Sequence, residues 1–137
     1  VTGVQTCALP ISNETESEIL TDIEYSEQGG YDRIIQRILE TGVRYVVMTL
    51  GAEGAILASR KKQTRFSAYP VTPVDTTAAG DVFNGALAVA LANEASLERA
   101  IRFASAAGAL SVMKLGAQPS APNRQEILEF LSGYGEG

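Results

Sequence analysis

The chain has 137 residues, of which 45% are apolar and 20% are charged, an ordinary composition for one globular domain. Its formal net charge of −5 provides no basic face, which argues against nucleic acid and anionic membranes as partners. No apolar run is long enough to cross a bilayer. The sequence has no histidine and one cysteine, so a disulfide framework and most zinc sites are excluded.

The N-terminal segment differs in kind from the rest. Residues 1–11 (VTGVQTCALPI) read in every position like the translation of a sequencing-library adapter, joined to coding sequence near Ser12 or Asn13. We therefore expect residues 1–12 to be non-native and the beginning of the gene to be missing. Cys7 would then not be native, and residues 13–137 would be a fragment. The alternative is a short natural strand that ends in a proline turn.

Two helices are predicted before the first strand. Residues 13–22 are acidic and predict a short amphipathic helix with three apolar residues on one side: Ile19, Leu20 and Ile23. After a break at Gly29-Gly30, residues 31–41 carry isoleucine and leucine at helical spacing. Gly42 predicts the end of this second helix, because glycine readily adopts the left-handed conformation of a C-terminal cap.

The middle of the chain carries strand signals. Residues 43–50 form a nearly continuous apolar run, which predicts a strand covered on both faces. Gly51 and Gly54 predict a turn before a second strand at residues 55–58. Residues 61–71 alternate between polar and apolar around a basic turn, which predicts an exposed hairpin.

The second half of the chain is predicted to be helical. A first helix covers residues 79–93, and Ser96 is a suitable N-cap for the next helix. A last helix covers residues 123–131, and residues 133–137 read as a frayed tail. Helix, strands and then packed helices predict an α/β fold with an incomplete sheet, as at one edge of a layered domain.

The residues that indicate a chemical function are 74–84 (VDTTAAGDVFN). Here the end of a predicted strand passes into a predicted helix. The first N–H groups of such a helix have no internal partners, and the positive end of its dipole lies at the turn. The small residues Ala78, Ala79 and Gly80 let an anion such as phosphate approach these groups. Asp81, in the first helical turn, is then a candidate general base for a hydroxyl nucleophile. The alternative is that Asp81 only serves the helix, since acidic residues are favoured at helix N-termini.

Three motifs resemble the ribokinase-like (PfkB) family of carbohydrate kinases, in the family's order. NETE at residues 13–16 resembles its N-x-x-E motif, TLGAEG at residues 49–54 its nucleotide loop, and DTTAAGD at residues 75–81 its second signature. The similarity continues through residues 100–122. It implies the C-terminal, nucleotide-binding part of an α/β/α layered kinase domain, which phosphorylates a sugar hydroxymethyl group with ATP, Mg²⁺ and a monovalent cation such as K⁺.

The resemblance also implies a role for particular residues. Asp81 corresponds to the catalytic base, which would contact the sugar hydroxyl, and the N–H groups of Ala78, Ala79, Gly80 and Asp81 to the anion hole. The nucleotide would lie against eight further residues: Asn13, Thr49, Leu50, Gly51, Ala52, Glu53, Gly54 and Ser105. Glu16 would hold Mg²⁺ through water.

Each of these assignments has a plainer alternative. Asn13 and Glu16 could equally be helix-capping residues. The loop could be an ordinary β-turn between two strands, and Ser105 a small residue of a packed, alanine-rich helix.

The monovalent cation site implied by the resemblance joins two segments: Asp75 and Thr77 with Ser111, Lys114, Gly116 and Ser120. Many of these residues would contribute backbone carbonyl groups, so their side chains carry little information. Asp75 is informative, because a carboxylate beside an anion hole needs a compensating cation. The alternative for Asp75 is a turn or capping residue.

The substrate is less constrained than the reaction class. The GAQPS-x-P segment favours ribose, with ribose 5-phosphate as the product, over fructose, deoxyribose or a nucleoside. A nucleotide-binding domain without turnover is a further alternative, which the presence of Asp81 argues against. A Rossmann-type dehydrogenase is set aside, because no G-x-G-x-x-G follows a strand.

The resemblance has consequences for the chain as a whole. The family's sugar pocket lies mostly in its N-terminal half, so we expect this chain alone to have negligible kinase activity. The partners would be a small-molecule sugar and ATP, in the cytoplasm, and a homodimer is compatible with the full-length protein.

Overall fold

The structure, a computed structural model, describes residues 11–23, 30–115 and 121–136. The chain forms two compact units, Val1–Ser67 and Ala68–Gly137. Within the described residues, the first unit holds a sheet and two α-helices, and the second holds three α-helices. No helix in these ranges combines the length and apolarity needed to cross a membrane.

The strands form one sheet in chain order: β1 (Ile11–Asn13), β2 (Val46–Thr49), β3 (Ala55–Ala58) and β4 (Gln63–Phe66). β1 runs parallel to β2, whereas β2, β3 and β4 are antiparallel to their neighbours. β2 begins later than predicted because its pairing with β3 ends at Val46 and Ala58. The next residue, Ser59, donates its N–H to the Lys62 carbonyl (2.8 Å) and turns the chain. The hairpin predicted over residues 61–71 is therefore misplaced: it is formed by β3 and β4, and its second strand ends at Phe66.

The core of the first unit lies between the sheet and one helix. Helices α1 (Glu14–Thr21) and α2 (Gly30–Leu39) belong to this unit. The buried face of α2 packs with alternate residues of the strands: Ile34, Ile35, Ile38 and Leu39 with Val46, Met48, Leu50, Ile56 and Ala58. Val47 and Leu57, which alternate with these, are also buried. The prediction of a strand covered on both faces is confirmed, because successive side chains of a strand point to opposite faces.

The start of the chain departs from the predicted helix in one respect. Ile19 is 78% exposed, so the prediction that it shares an apolar side with Ile23 is wrong. The inward face of α1 carries Ser17, which is fully buried. Asp22, at φ 56°, ends the helix, so Ile23 lies beyond it and packs against the core. The helical spacing between residues 19 and 23 therefore does not exist in the fold.

Helix α2 has a glycine at each end, and the structure departs from the prediction only at the first of them. Gly30 is the first, buried residue of the helix, so it does not break the chain as predicted; Gly29 lies outside the described residues. At the other end Gly42 has φ 101° and donates its N–H to the Leu39 carbonyl (3.1 Å), which confirms the predicted C-terminal cap.

The second unit consists of helices α3 (Ala79–Ala92), α4 (Leu97–Val112) and α5 (Arg124–Gly133). The predicted N-cap of α4 is confirmed, because Ser96 Oγ accepts the Arg99 N–H. Asn123, predicted as the first residue of the last helix, is instead the N-cap of α5 and forms a reciprocal capping box with Glu126. Small residues on α4 let the helices pack closely, and they are fully buried: Ala100, Ala104, Ala106 and Ala107.

The end of the chain is ordered through Glu136, so the predicted frayed tail is wrong for residues 133–136; residue 137 lies outside the described part. α5 continues to Gly133, and Gly135 (φ 73°) reverses the chain. The N–H of Gly135 bonds the Ser132 carbonyl (3.1 Å), and the N–H of Glu136 bonds the Leu131 carbonyl (2.9 Å). These two bonds are the Schellman pattern, which satisfies the last carbonyl groups of a helix.

Candidate functional site

The segment that leads into α3 is fixed by backbone and side-chain hydrogen bonds. Val74 and Asp75 both donate their N–H groups to the carbonyl of Val112, at 2.6 and 3.0 Å. Asp75 Oδ1 accepts the N–H of Thr77 at 2.9 Å and also its hydroxyl. The Asp75 carboxylate thus closes an Asx turn directly before the helix, as the turn alternative for this residue predicts.

The N-terminus of α3 leaves backbone donors available. Its N-cap is Ala78, which has no side chain that can accept a hydrogen bond, and no other side chain caps this end. Ala79 donates to the Thr76 carbonyl at 3.2 Å. The N–H groups of Ala78, Gly80 and Asp81 have no acceptor among the described residues. Three of the four amides assigned to an anion hole are therefore available, at the positive end of a helix dipole.

Asp81 lies in the first turn of α3 and is exposed. With Ala78 it lines a cavity of about 510 Å³, whose other walls come mainly from apolar residues of α3, α4 and α5: Val82, Gly85, Ala86, Phe103, Ala107 and Ile127. A carboxylate at the rim of such a cavity is accessible to a ligand hydroxyl, and it is not part of the packed interior. The geometry is what a general base next to an anion site requires.

The end of α4 lies beside the same segment. Gly108 approaches the start of α3, since a Cβ on it would be 3.8 Å from the Ala79 carbonyl oxygen. Ser111 is buried and donates its hydroxyl to the Gly108 carbonyl (2.8 Å), so its side chain is used within the helix. Lys114 is exposed and pairs with Glu126 at 3.7 Å. Ser111 also lies close to Asp75, because the carbonyl of its neighbour Val112 accepts the Asp75 N–H.

Three further residues of this unit are assigned to the nucleotide or to the cation site from the sequence. Ser105 is half-buried on α4. Gly116 and Ser120, assigned to the cation site, lie outside the described residues.

The loop assigned to the nucleotide lies in the first unit, between β2 and β3. Gly51–Glu53 forms one turn of 3₁₀ helix, and the N–H of Leu50 donates to the Gly54 carbonyl at 2.8 Å. Gly51 (φ 52°) and Gly54 (φ 106°) adopt conformations that favour glycine. The Leu50 side chain is buried in the core, so only its backbone is available to a ligand.

Three other residues belong to the loop assigned to the nucleotide: Glu53, Ala52 and Thr49. Glu53 pairs with Arg65 of β4 at 2.6 Å, and both side chains are exposed. Ala52 is exposed. Thr49 is the last residue of β2, where the strand passes into the loop.

The N-x-x-E segment and the nucleotide loop meet at one edge of the sheet. Asn13 is in register with Thr49, at the carboxyl ends of two adjacent parallel strands. Glu16 is exposed in the first turn of α1. In α/β sheets ligands bind at the carboxyl ends of parallel strands, which is where these two segments lie.

The comparisons with known proteins agree with the sequence motifs. The sequence profile of the pfkB family of carbohydrate kinases matches residues 2–124. The chain belongs to this family. A ribokinase from Haemophilus influenzae is 45% identical over 119 residues, which are 87% of this chain and 39% of that protein. The chain thus spans about two fifths of the length of this relative.

Two solved structures of pfkB-family relatives share the fold. A ribokinase from Thermotoga maritima superposes with a TM-score of 0.83 at 42% identity, over 90% of this chain and 42% of that one. A ribokinase from Arabidopsis thaliana, solved with ribose and ATP, gives 0.84 at 36% identity, over 90% and 40%. The α/β fold class and the incomplete sheet inferred from sequence are confirmed.

Some contacts within the second unit have no sequence signature. Tyr69, Arg102 and Glu136 form a hydrogen-bonded group, although Tyr69 and Glu136 are far apart in sequence. No local pattern could have identified them, because the group exists only once α4, α5 and the segment before α3 have packed.

Proposed function

We propose that the protein transfers the γ-phosphoryl group of ATP to the hydroxymethyl group of a sugar, and that the sugar is ribose. The observation that carries the proposal is the exposed carboxylate of Asp81 in the first turn of α3, beside backbone N–H groups with no acceptor in the described residues. The ribokinase relatives and the GAQPS-x-P segment favour ribose over fructose, deoxyribose or a nucleoside.

Asp81 accepts the proton of the sugar hydroxyl as that oxygen attacks phosphorus. The amides of Ala78, Gly80 and Asp81 donate to the oxygens of the phosphoryl group, where negative charge is redistributed during transfer. Ala79 contributes less while its N–H is bonded to Thr76. Because Asp81 is exposed to the cavity, it can reach a hydroxyl without a change in the fold.

In this proposal the nucleotide lies along Thr49–Gly54, where two glycines let the backbone approach it, with Asn13 at the adjacent strand end and Ser105 on α4. The single exposed carboxylate of Glu16 suits Mg²⁺ that is held largely through water and phosphate oxygens. Bound Mg²⁺ would neutralise charge on the phosphates.

The segment before α3 fits a monovalent cation such as K⁺. Thr77 fixes one carboxylate oxygen of Asp75, so negative charge is held in place next to the anion site. The remaining members of the proposed site come from the end of α4 and the residues after it: Ser111, Lys114, Gly116 and Ser120. Ser111 and Lys114 would act through their backbone carbonyl groups, since both side chains have other partners.

The test is Asp81→Asn in the full-length enzyme. Loss of a general base lowers turnover by about 10²–10⁴-fold, and KM for ATP and ribose should change little. Glu98→Gln, at the first turn of α4, is the matched control at a helix start outside the site. If Asp81→Asn still binds ATP and its turnover is unchanged, the proposed mechanism and the assignment of Asp81 as the base are both wrong. A panel of ribose, fructose, deoxyribose and nucleosides tests the substrate.

The remaining proposals concern the chain as a whole. We expect the 137-residue chain alone to show negligible kinase activity, since it spans 39% of its Haemophilus relative. ATP-dependent ribose phosphorylation by this chain would contradict that. Residues 1–12 are proposed to be adapter-derived, and the upstream reading frame tests it. We also propose a cytoplasmic location, which cell fractionation tests. For the full-length enzyme we propose a homodimer, which sedimentation tests.

A further inference from the structure

The C-terminal turn holds Glu136 in a defined place. After α5, the Schellman bonds of Gly135 and Glu136 to the last turn of the helix reverse the chain. The Glu136 side chain is only 27% exposed. A carboxylate that is partly removed from water needs partners, because its charge is costly to bury alone.

Glu136 has two partners, one on each carboxylate oxygen. Tyr69 donates its hydroxyl to Oε2 in a short hydrogen bond, and Arg102 of α4 pairs with Oε1 at 2.5 Å. The Tyr69 ring packs edge-on against Phe130 (centroids 5.2 Å apart) and against Tyr134 (4.9 Å). Burial, together with the Glu136 hydrogen bond, raises the pKa of Tyr69 well above its ordinary value.

The residues after Tyr69 lead directly to the candidate site. Pro70 and Pro73 have fixed φ angles and no N–H group, so this stretch is stiff and makes few backbone bonds of its own. It is held next at Val74 and Asp75, through the Val112 carbonyl at the end of α4. Only the four residues 70–73 therefore separate the contacts of Tyr69 from the backbone bonds of Val74 and Asp75.

We propose that Tyr69, Arg102 and Glu136, the C-terminal clamp, are positioning residues that hold the segment leading to Asp81 in register with α4. The clamp fixes the start of the segment, and the Val112 carbonyl fixes its end. Its effect on the anion site is structural and does not require turnover. Its effect on phosphoryl transfer rests on the proposed function.

Amide hydrogen exchange on the 137-residue chain tests the clamp. In Glu136→Ala, the protected amides of Val74 and Asp75 should exchange roughly tenfold faster or more, while the core of α4 around Ala104 is unchanged. Tyr69→Phe keeps the ring packing and removes one hydrogen bond, so it should give a smaller increase at the same two amides. Glu40→Gln, which breaks an exposed ion pair with Arg37 in the other unit, is the matched control and should leave both amides as they were.

Two outcomes would overturn the proposal. Wild-type exchange at Val74 and Asp75 in Glu136→Ala would show that the clamp does not hold the segment. If amide exchange increased uniformly across α3, α4 and α5 in both variants, Tyr69→Phe included, the clamp would contribute only to the overall stability of the unit. In the full-length enzyme, Tyr69→Phe should lower kcat several-fold with KM little changed. If the exchange result is obtained but Asp81→Asn leaves turnover unchanged, the clamp stands and the proposed function fails.

Discussion

Replacing Glu94 with glycine should stabilise the chain. Glu94 follows α3 with φ 62°, and its N–H bonds the Leu91 carbonyl (3.0 Å) while that of Ala95 bonds the Ala90 carbonyl (3.1 Å). This Schellman turn usually contains glycine, because a left-handed conformation costs other residues about 1–2 kcal/mol. Glycine also increases the conformational entropy of the unfolded chain, which lowers the stability by about 0.5–1 kcal/mol. The free energy of unfolding of Glu94→Gly should therefore rise by about 0.5–1 kcal/mol relative to the wild type.

Urea unfolding followed by circular dichroism measures the difference, and the midpoint should increase with an unchanged slope. Ala88→Gly is the matched control, since Ala88 is an exposed residue in the middle of the same helix. There glycine relieves no strain, and it should destabilise by about 1 kcal/mol. If both variants lowered the midpoint equally, the left-handed conformation at Glu94 would carry no cost and the reasoning would be wrong.

Three further changes test other parts of the fold. Leu87→Ala removes a fully buried side chain and should cost about 2–5 kcal/mol in urea unfolding, whereas Val89→Ala, at a residue 50% exposed, should cost far less. Gly51→Ala has open space for its Cβ but φ 52°, so strain alone should cost about 1 kcal/mol, with no loss of helix signal. Because the pKa of Tyr69 is raised in the folded state, its contribution is intact below the ordinary tyrosine value of 10.0 and is lost as the pH rises above it. Thermal melts across this range should show a drop in stability that Tyr69→Phe reduces; an equal drop in both proteins would contradict this.

Local features of the fold could be predicted where the determining contacts are local. Ser96 caps its helix as expected, since a cap depends on residues within one turn. The apolar spacing of α2 predicted its buried face for the same reason. Ile19 was misplaced because Asp22 ends α1 before Ile23, and spacing alone does not contain that reversal. The strand start at Val46 was missed because it depends on where the partner strand turns at Ser59.

Local sequence likewise predicts some features of the candidate site, and only packing decides the others. DTTAAGD at residues 75–81 predicts an anion site and its carboxylate from the sequence alone, because small residues at a helix start let an anion approach its N–H groups. Only the tertiary structure decided that Asn13 stands beside Thr49, that the Val112 carbonyl holds Asp75, and that Glu136 joins Tyr69 to Arg102. These contacts link residues far apart in the chain, so they form only when separate elements pack. The sequence determined which chemical groups are present at the helix start, and packing determined what holds them there.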